Sequence, residues 1–295
     1  MGKVFELWLT CTGIFLLLCV PAVMSWGYEG HFAVCKIAQG FLTEDALTAV
    51  KALLPDYAGG ELAAVCSWPD EFRKLMPWST ALHFVNPPDF SCNYKYCRDC
   101  HDSAGNKDRC VTGAIFNYTE QLQSGVHNLN SEMKYNLTEA LIFISHFFGD
   151  VHQPLHAGFL GDAGGNTIKV HWYQNETNLH RVWDDKIIES SLNTFYNTDL
   201  SNLIHAIQRK ISGVWFTDSL SWKNCTSNHV VCPDPTFCFI PSYVEETVVN
   251  LEFVCSLSVC DNISNLISVR DKADWNIIIL HQSNHLLELL RPSAV

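Results

Sequence analysis

The sequence predicts an all-α fold, a mainly helical single domain with a short β-hairpin, and three observations carry that expectation. Apolar residues recur at helical spacing in several segments. The one β-branched and aromatic run, Ile168 to Tyr173, is short and follows a turn. No repeat, low-complexity linker or second strand-rich block is visible. At 295 residues, with 47% hydrophobic and 17% charged side chains, a sizeable core is expected and one domain is the economical reading.

Residues 1–25 read as a cleaved signal peptide. Lys3 precedes an apolar run from Gly13 to Val20, Pro21 breaks it, and Val23 and Ser25 are small or modest residues ahead of Trp26. A membrane anchor is the rival reading, but the run is short for a span and no basic stop-transfer flank follows. Trp26 is therefore the expected first residue of the mature chain, with no membrane anchor.

From Tyr28 to about Leu54 apolar spacing at Phe32, Cys35, Ile37 and Ala38, then at Leu47, Val50 and Leu53, predicts two short helices stopped by Pro55. Residues 86–110 read as a loop that Cys92, Cys97, Cys100 and Cys110 can tie down. Asn136-Leu-Thr-Glu139 has the pattern of a capping box and opens a long apolar helix ended by Pro154. A turn at Ala163-Gly-Gly-Asn166 precedes the short strand, and helical spacing returns over 178–190 and 198–214.

Of the thirteen cysteines, Cys11 and Cys19 precede Ser25, leaving eleven. Five sequons lie at Asn117, Asn136, Asn175, Asn224 and Asn262. Behind a signal peptide, this combination points to an oxidising secretory route, with an extracellular, vacuolar or endoplasmic-reticulum-derived destination. It favours disulfides over thiolate metal sites and N-glycans on the sequons, Asn262 being the one in the divergent tail. The formal net charge of −12 excludes the broad basic face by which most nucleic-acid binders release counterions. Any grip on a polyanion must draw on another source of positive charge, and metal ions supply it.

Thirteen histidines are present, and their placement relative to aspartates matters more than their number. His146 and Asp150, and again His180 and Asp184, stand four residues apart, so on a helix each pair faces one point. His156 follows just past Pro154. An apolar helix burying both His146 and Asp150 needs something to pair with them, and Zn²⁺ takes imidazole and carboxylate ligands. Asp70, His83 and His31 add donors upstream.

The ordered set Trp26 and His31, Trp68-Pro-Asp70, His83-Phe84, His146-Phe-Phe-Gly-Asp150-Val-His-Gln-Pro-Leu-His156, Gly164-Gly-Asn166 and His180-Arg-Val-Trp-Asp184 resembles the zinc-dependent single-strand-preferring nucleases of fungi and plants. The resemblance is nearest to plant bifunctional endonucleases and implies the helical fold shared with zinc phospholipase C. It implies three zinc ions: one on Asp70, His83, His146 and Asp150, one on His156, His180 and Asp184, and one on His31, Asp150 and the amino and carbonyl groups of Trp26. It further implies a secreted, monomeric endonuclease that attacks phosphorus in line with a metal-activated water. Single-stranded DNA and RNA would be cut to 5′-phosphate products, with 3′-nucleotidase activity as a second capacity. Asp70 and Asp150 serve catalysis in that scheme. Arg73 contacts the scissile phosphate, Phe84 stacks on the flanking base, and Asn86 and Asn166 make polar contacts to base or phosphate. His152 matches no ligand position and reads as a supporting residue.

By the same resemblance Cys35 pairs with Cys66, Cys100 with Cys110 and Cys225 with Cys232. Cys92 lacks its usual C-terminal partner, and Cys97, Cys238, Cys255 and Cys260 are extras. The expected nuclease domain therefore spans 26–235, and the motif match stops after Pro235. Residues 236–295 form a divergent segment, read as an alternative C-terminus in which Ile277 to Leu290 can supply a closing helix. A zinc phospholipase C and an inactive secreted glycoprotein isoform are the competing readings.

Overall fold

A computed structural model of the chain describes residues 26–91, 94–127 and 135–217, together with the backbone of 227–231 and 237–241. The architecture is mainly helical, as the periodicity predicts.

Helix α1 (Tyr28–Gln39) carries Glu29 in its first turn and Lys36 in its last, each where the helix dipole favours its charge. Its buried face includes His31, Val34, Cys35 and Ala38, three or four residues apart. Helix α2 (Glu44–Leu53) is capped by Thr43, whose hydroxyl accepts the Ala46 N–H at 3.3 Å. It buries only Ala46 and Val50 and lies on the surface. These are the two helices expected before Pro55. Two 3₁₀ segments, Leu62–Val65 and Pro77–His83, flank the short α3 (Trp68–Phe72). The Cys35–Cys66 disulfide ties α1 to the stretch leading into α3, with Cα atoms 6.4 Å apart.

The region read as a bare loop holds one helical turn, α4 (Tyr96–Asp99), and the Cys100–Cys110 disulfide closes it. Cys97 is disulfide-bonded as well. Helix α5 (Val111–His127) follows at once, and sequence periodicity does not announce it. It packs along α6 (Leu137–His152), where the Tyr118 ring stacks on Phe143 at 5.1 Å. Asn136 caps α6 by accepting the Glu139 N–H at 3.2 Å, and every residue from Ala140 to His152 is buried. A helix buried on all sides is the centre of the domain.

After the 3₁₀ turn Pro154–Ala157, strands β1 (Lys169–Trp172) and β2 (Asn175–Asn178) form an antiparallel hairpin with Lys169 opposite Asn178. One helical turn, Leu179–Arg181, then passes into a π-helical turn, Val182–Lys186, before α7 (Ile187–Phe195). Helix α8 (Leu200–Ser212) buries Leu203, Ile204, Ile207 and Ile211 in a cluster shared with Val34 and Ile37 of α1 and with Trp26. The backbone adds a second antiparallel pair, β3 (Ser227–Val231) with β4 (Phe237–Pro241). That pair comes in addition to the hairpin the sequence predicts and leaves the mainly helical class unchanged.

Among the described residues no helix is long and apolar enough to cross a membrane. Residues 1–25, Cys92, the Cys225–Cys232 pairing, the side chain of Cys238, Cys255, Cys260, the sequons at Asn224 and Asn262 and the helix expected over 277–290 lie outside the described residues.

Candidate metal centre

The central helix α6 sets the site. His146 and Asp150, one turn apart, project from it side by side, with His146 Nε2 3.2 Å from Asp150 Oδ2. Around this pair the fold brings four other segments. α1 delivers His31, whose ring stacks on His146 at 3.8 Å. The turn α3 delivers Asp70, the 3₁₀ segment ends on His83, and the turn after α6 carries His156. His180 and Asp184 come from the helical and π turns behind the hairpin, with Nε2 and Oδ2 3.4 Å apart. The expected α-helical spacing is replaced there by a π turn, and the two side chains still meet.

Asp150 is the hub. Its Oδ2 stands 3.0 Å from His83 Nδ1, and its Oδ1 stands 3.4 Å from His31 Nε2 and 3.6 Å from His156 Nδ1. Asp70 Oδ1 reaches His83 Nδ1 at 3.5 Å and His146 Nε2 at 3.8 Å. The donor atoms fall into three groups: His31, His146 and Asp150; Asp70, His83 and His146; and His156, His180 and Asp184. Within each group they lie within 4.8 Å of one another, so each group can hold a metal ion.

Three imidazoles are oriented by backbone carbonyls. His146 Nδ1 donates to Cys66 O at 2.8 Å, His156 Nδ1 to His83 O at 2.8 Å, and His180 Nδ1 to Gly164 O at 2.6 Å. Each bond fixes the tautomer that leaves Nε2 as a lone pair, which is how ligating histidines are held. The Nε2 atoms of His156 and His180, and one oxygen each of Asp70 and Asp150, are buried with no hydrogen-bond partner. Buried polar atoms left in that state are costly, and a cation would satisfy them together.

The electrostatics are those of groups taken out of water. Burial pulls His156 down to about 3 and lowers His180 and His31, the latter also through its neighbour His146. Burial likewise raises Asp184 well above the usual carboxylate range. For Asp150 burial acts against ionisation, but His146, His31 and His83 outweigh it and hold the carboxyl well below its ordinary value. For His146 burial is outweighed by Asp150 and Asp70, and its pKa is raised.

Two glycines permit this packing. A Cβ on Gly149 would lie 2.7 Å from His31 Nδ1, so only glycine lets that ring approach α6. Gly164, at φ +63°, would place a Cβ 2.5 Å from Leu155 O, and its own carbonyl orients His180.

Trp26 is buried beside α1, where Gly27 N donates to Asp184 O at 3.0 Å, so Trp26 is pinned next to the π turn. Arg73 Nη1 stands 3.8 Å from Asp70 Oδ1, at the edge of the cluster. Phe84 is half-buried directly after His83. Asn86 and Asn166 spend their amide donors on the carbonyls of Gly158 and Ala163, each at 2.8 Å. Asn166 also borders an open cleft of about 420 Å³ lined by Lys169, Asn178 and Arg181. His152, buried, bonds the Phe148 carbonyl through Nδ1 at 2.7 Å, in keeping with a supporting role. The sequence reading passes over Gln153, whose fully buried amide donates to Asp184 Oδ1 at 2.6 Å. An amide is not a ligand type, and only its place between His152 and Pro154 in the His-rich motif could have drawn notice.

A helical domain that brings five histidines and three aspartates together in one buried region has the donor set of a metal-binding site. A family profile described as S1/P1 Nuclease matches residues 26–248, beginning at Trp26 and running past Pro235. Endonuclease 3 of Arabidopsis thaliana is 56% identical over 237 residues, covering 80% of this chain and 79% of that protein. Nuclease P1 of Penicillium citrinum is 33% identical over 204 residues, 67% of this chain and 71% of its own length. Nuclease S1 of Aspergillus oryzae is 34% identical over 207 residues, 68% of each. The chain belongs to the S1/P1 nuclease family and is a nuclease, a hydrolase acting on nucleic acid.

Proposed function

We propose that this chain is a secreted, monomeric endonuclease that holds three zinc ions and cuts single-stranded DNA and RNA to 5′-phosphate products, with 3′-nucleotidase activity beside it. The observation that carries the proposal is the set of three buried histidines, His146, His156 and His180, each bonded to a backbone carbonyl through Nδ1 so that Nε2 is left as the lone pair, in donor groups that include Asp150 and Asp184.

Asp70, His83, His146 and Asp150 would hold one zinc, His156, His180 and Asp184 a second, and His31, Asp150 and the amino and carbonyl groups of Trp26 a third. Zinc bound there would supply the positive charge that an acidic chain lacks and lower the pKa of a water nucleophile toward about 7. The remaining work falls to the chain's own groups. Asp150, touching four histidines, keeps the ligand sets in fixed relation. Arg73 is held near the cluster by Asp70 and is placed to donate from its guanidinium to a phosphate oxygen. Phe84 offers a ring to an unpaired base, a contact that a duplex would deny. The amides of Asn86 and Asn166, braced on backbone carbonyls, present fixed polar groups to base or phosphate.

In this reading the domain spans 26–235, residues 1–25 are removed on secretion, and glycans occupy Asn117, Asn136, Asn175, Asn224 and Asn262. Asn117, Asn136 and Asn175 are exposed, which supports their modification. The secretory route accords with the Cys35–Cys66 and Cys100–Cys110 disulfides.

Purified full-length protein, processed to begin at Trp26, should release acid-soluble nucleotides from denatured DNA and RNA far faster than from duplex DNA, with phosphate at the 5′ ends. Equal rates on duplex and single strands, or 3′-phosphate products, would overturn the substrate reading. Diacylglycerol release from lecithin without nucleotide release would favour the phospholipase.

A further inference from the structure

We infer that Gln153 is a positioning residue that aims the Asp184 carboxylate and the His156 turn at one shared ion. The inference rests on the metal reading above and deepens it.

Gln153 sits at the junction where α6 ends and the Pro154–Ala157 turn begins, and its side chain is fully buried. Its Oε1 accepts the Leu155 N–H at 2.5 Å, and that bond decides which way the amide points, since only the oxygen can face an N–H. Nε2 is thereby turned away from the backbone, and it donates to Asp184 Oδ1 at 2.6 Å. With Oδ1 engaged, Oδ2 is the oxygen left facing His180 Nε2 at 3.4 Å, inside the group formed with His156.

One planar amide thus spans both halves of this group. Its acceptor end fixes the residue just before His156, and its donor end fixes the carboxylate that comes from the π turn. A buried glutamine filling a purely structural role would be served equally well by two backbone partners. Here its donor goes to a carboxylate, and the orientation of that carboxylate is what a metal site requires.

The test uses the full processed chain, loaded with zinc and dialysed against graded concentrations of chelator, with zinc per chain counted at each step. Q153E is the informative variant. It keeps an acceptor for Leu155 N and the side-chain length, but puts an acceptor where Asp184 needs a donor. Q153M keeps the length and loses both bonds. We expect both variants to release one zinc at a chelator concentration about 10- to 100-fold lower than the wild type does, while their other zinc is retained as in the wild type. On a D184N background, adding Q153E should change zinc retention less than about twofold, because the carboxylate it orients is gone. Melting of the metal-free proteins reports whether each variant folds.

The inference is overturned if folded Q153E and Q153M hold all their zinc as the wild type does, or if Q153E acts at full strength on the D184N background. It also fails if neither variant folds, since the side chain is then structural. Wild-type protein that binds no zinc at all would instead refute the metal reading on which the inference stands.

Discussion

Gly149→Ala separates the stability of this fold from the competence of its site. A Cβ built on Gly149 lies 2.7 Å from His31 Nδ1 and 2.9 Å from Cε1. Ordinary contact between such atoms is about 3.5 Å, so the ring must retreat by about 0.8 Å. His31 is fully buried and stacked on His146 at 3.8 Å, and its Nε2 stands 3.4 Å from Asp150 Oδ1. A displacement of that size exceeds the roughly 0.5 Å within which functional constellations must be held. Alanine recovers about 1 kcal/mol of helix propensity, against about 1–3 kcal/mol for overpacking, so the net loss of stability is about 0–2 kcal/mol. Activity should fall far more, by about 100-fold, because misplacement by about 1 Å carries that penalty. The assay pairs thermal melting with the initial rate on denatured DNA and zinc per chain. A G149A protein with wild-type rate and full zinc content would refute the argument that glycine is required there for His31.

Metal-stripped protein should lose stability in acid. His156 has a folded pKa of about 3 against about 6.5 in the unfolded chain, so below pH 6.5 protons bind the unfolded state preferentially. The sign is that of a depressed histidine: the contribution is intact above about 6.5 and is lost toward 3, at about 1.4 kcal/mol per pH unit for one such group. Urea titrations of the metal-free protein across that range check it, and a flat profile contradicts it. Replacing both Cys35 and Cys66 with alanine should cost about 3–4 kcal/mol from the loop the disulfide closes, and it should loosen His146 through the Cys66 carbonyl. A melting shift without any zinc loss would argue against the second half. At Asn136, serine removes the sequon and keeps a capping oxygen, whereas alanine removes both. N136S should therefore melt like the unglycosylated wild type, and N136A should be less stable by about 1 kcal/mol.

How far the sequence reveals the molecule depends on how local each signal is. Helix α6 is legible because a capping asparagine, a long apolar run and Pro154 all act within one segment. The pairs His146 with Asp150 and His180 with Asp184 are legible for the same reason, since four-residue spacing holds them together even where the backbone adopts a π turn. Helix α5 is not. Its Thr112, Gly113, Asn117 and Tyr118 are indifferent helix formers, and it is packing on α6 that sustains it. Gln153 and Gly149 escape notice because their roles exist only once distant segments meet. An amide becomes informative when Asp184 arrives beside it, and a glycine when the His31 ring takes the space a Cβ would fill.

Anomalous diffraction at the zinc edge, on crystals of active protein beginning at Trp26, locates the bound ions. Three peaks per chain are expected: one among Asp70, His83, His146 and Asp150, one among His156, His180 and Asp184, and one between His31, Asp150 and the Trp26 amine. Fully active protein with no peak at these groups, or with its zinc bound elsewhere, would contradict that expectation.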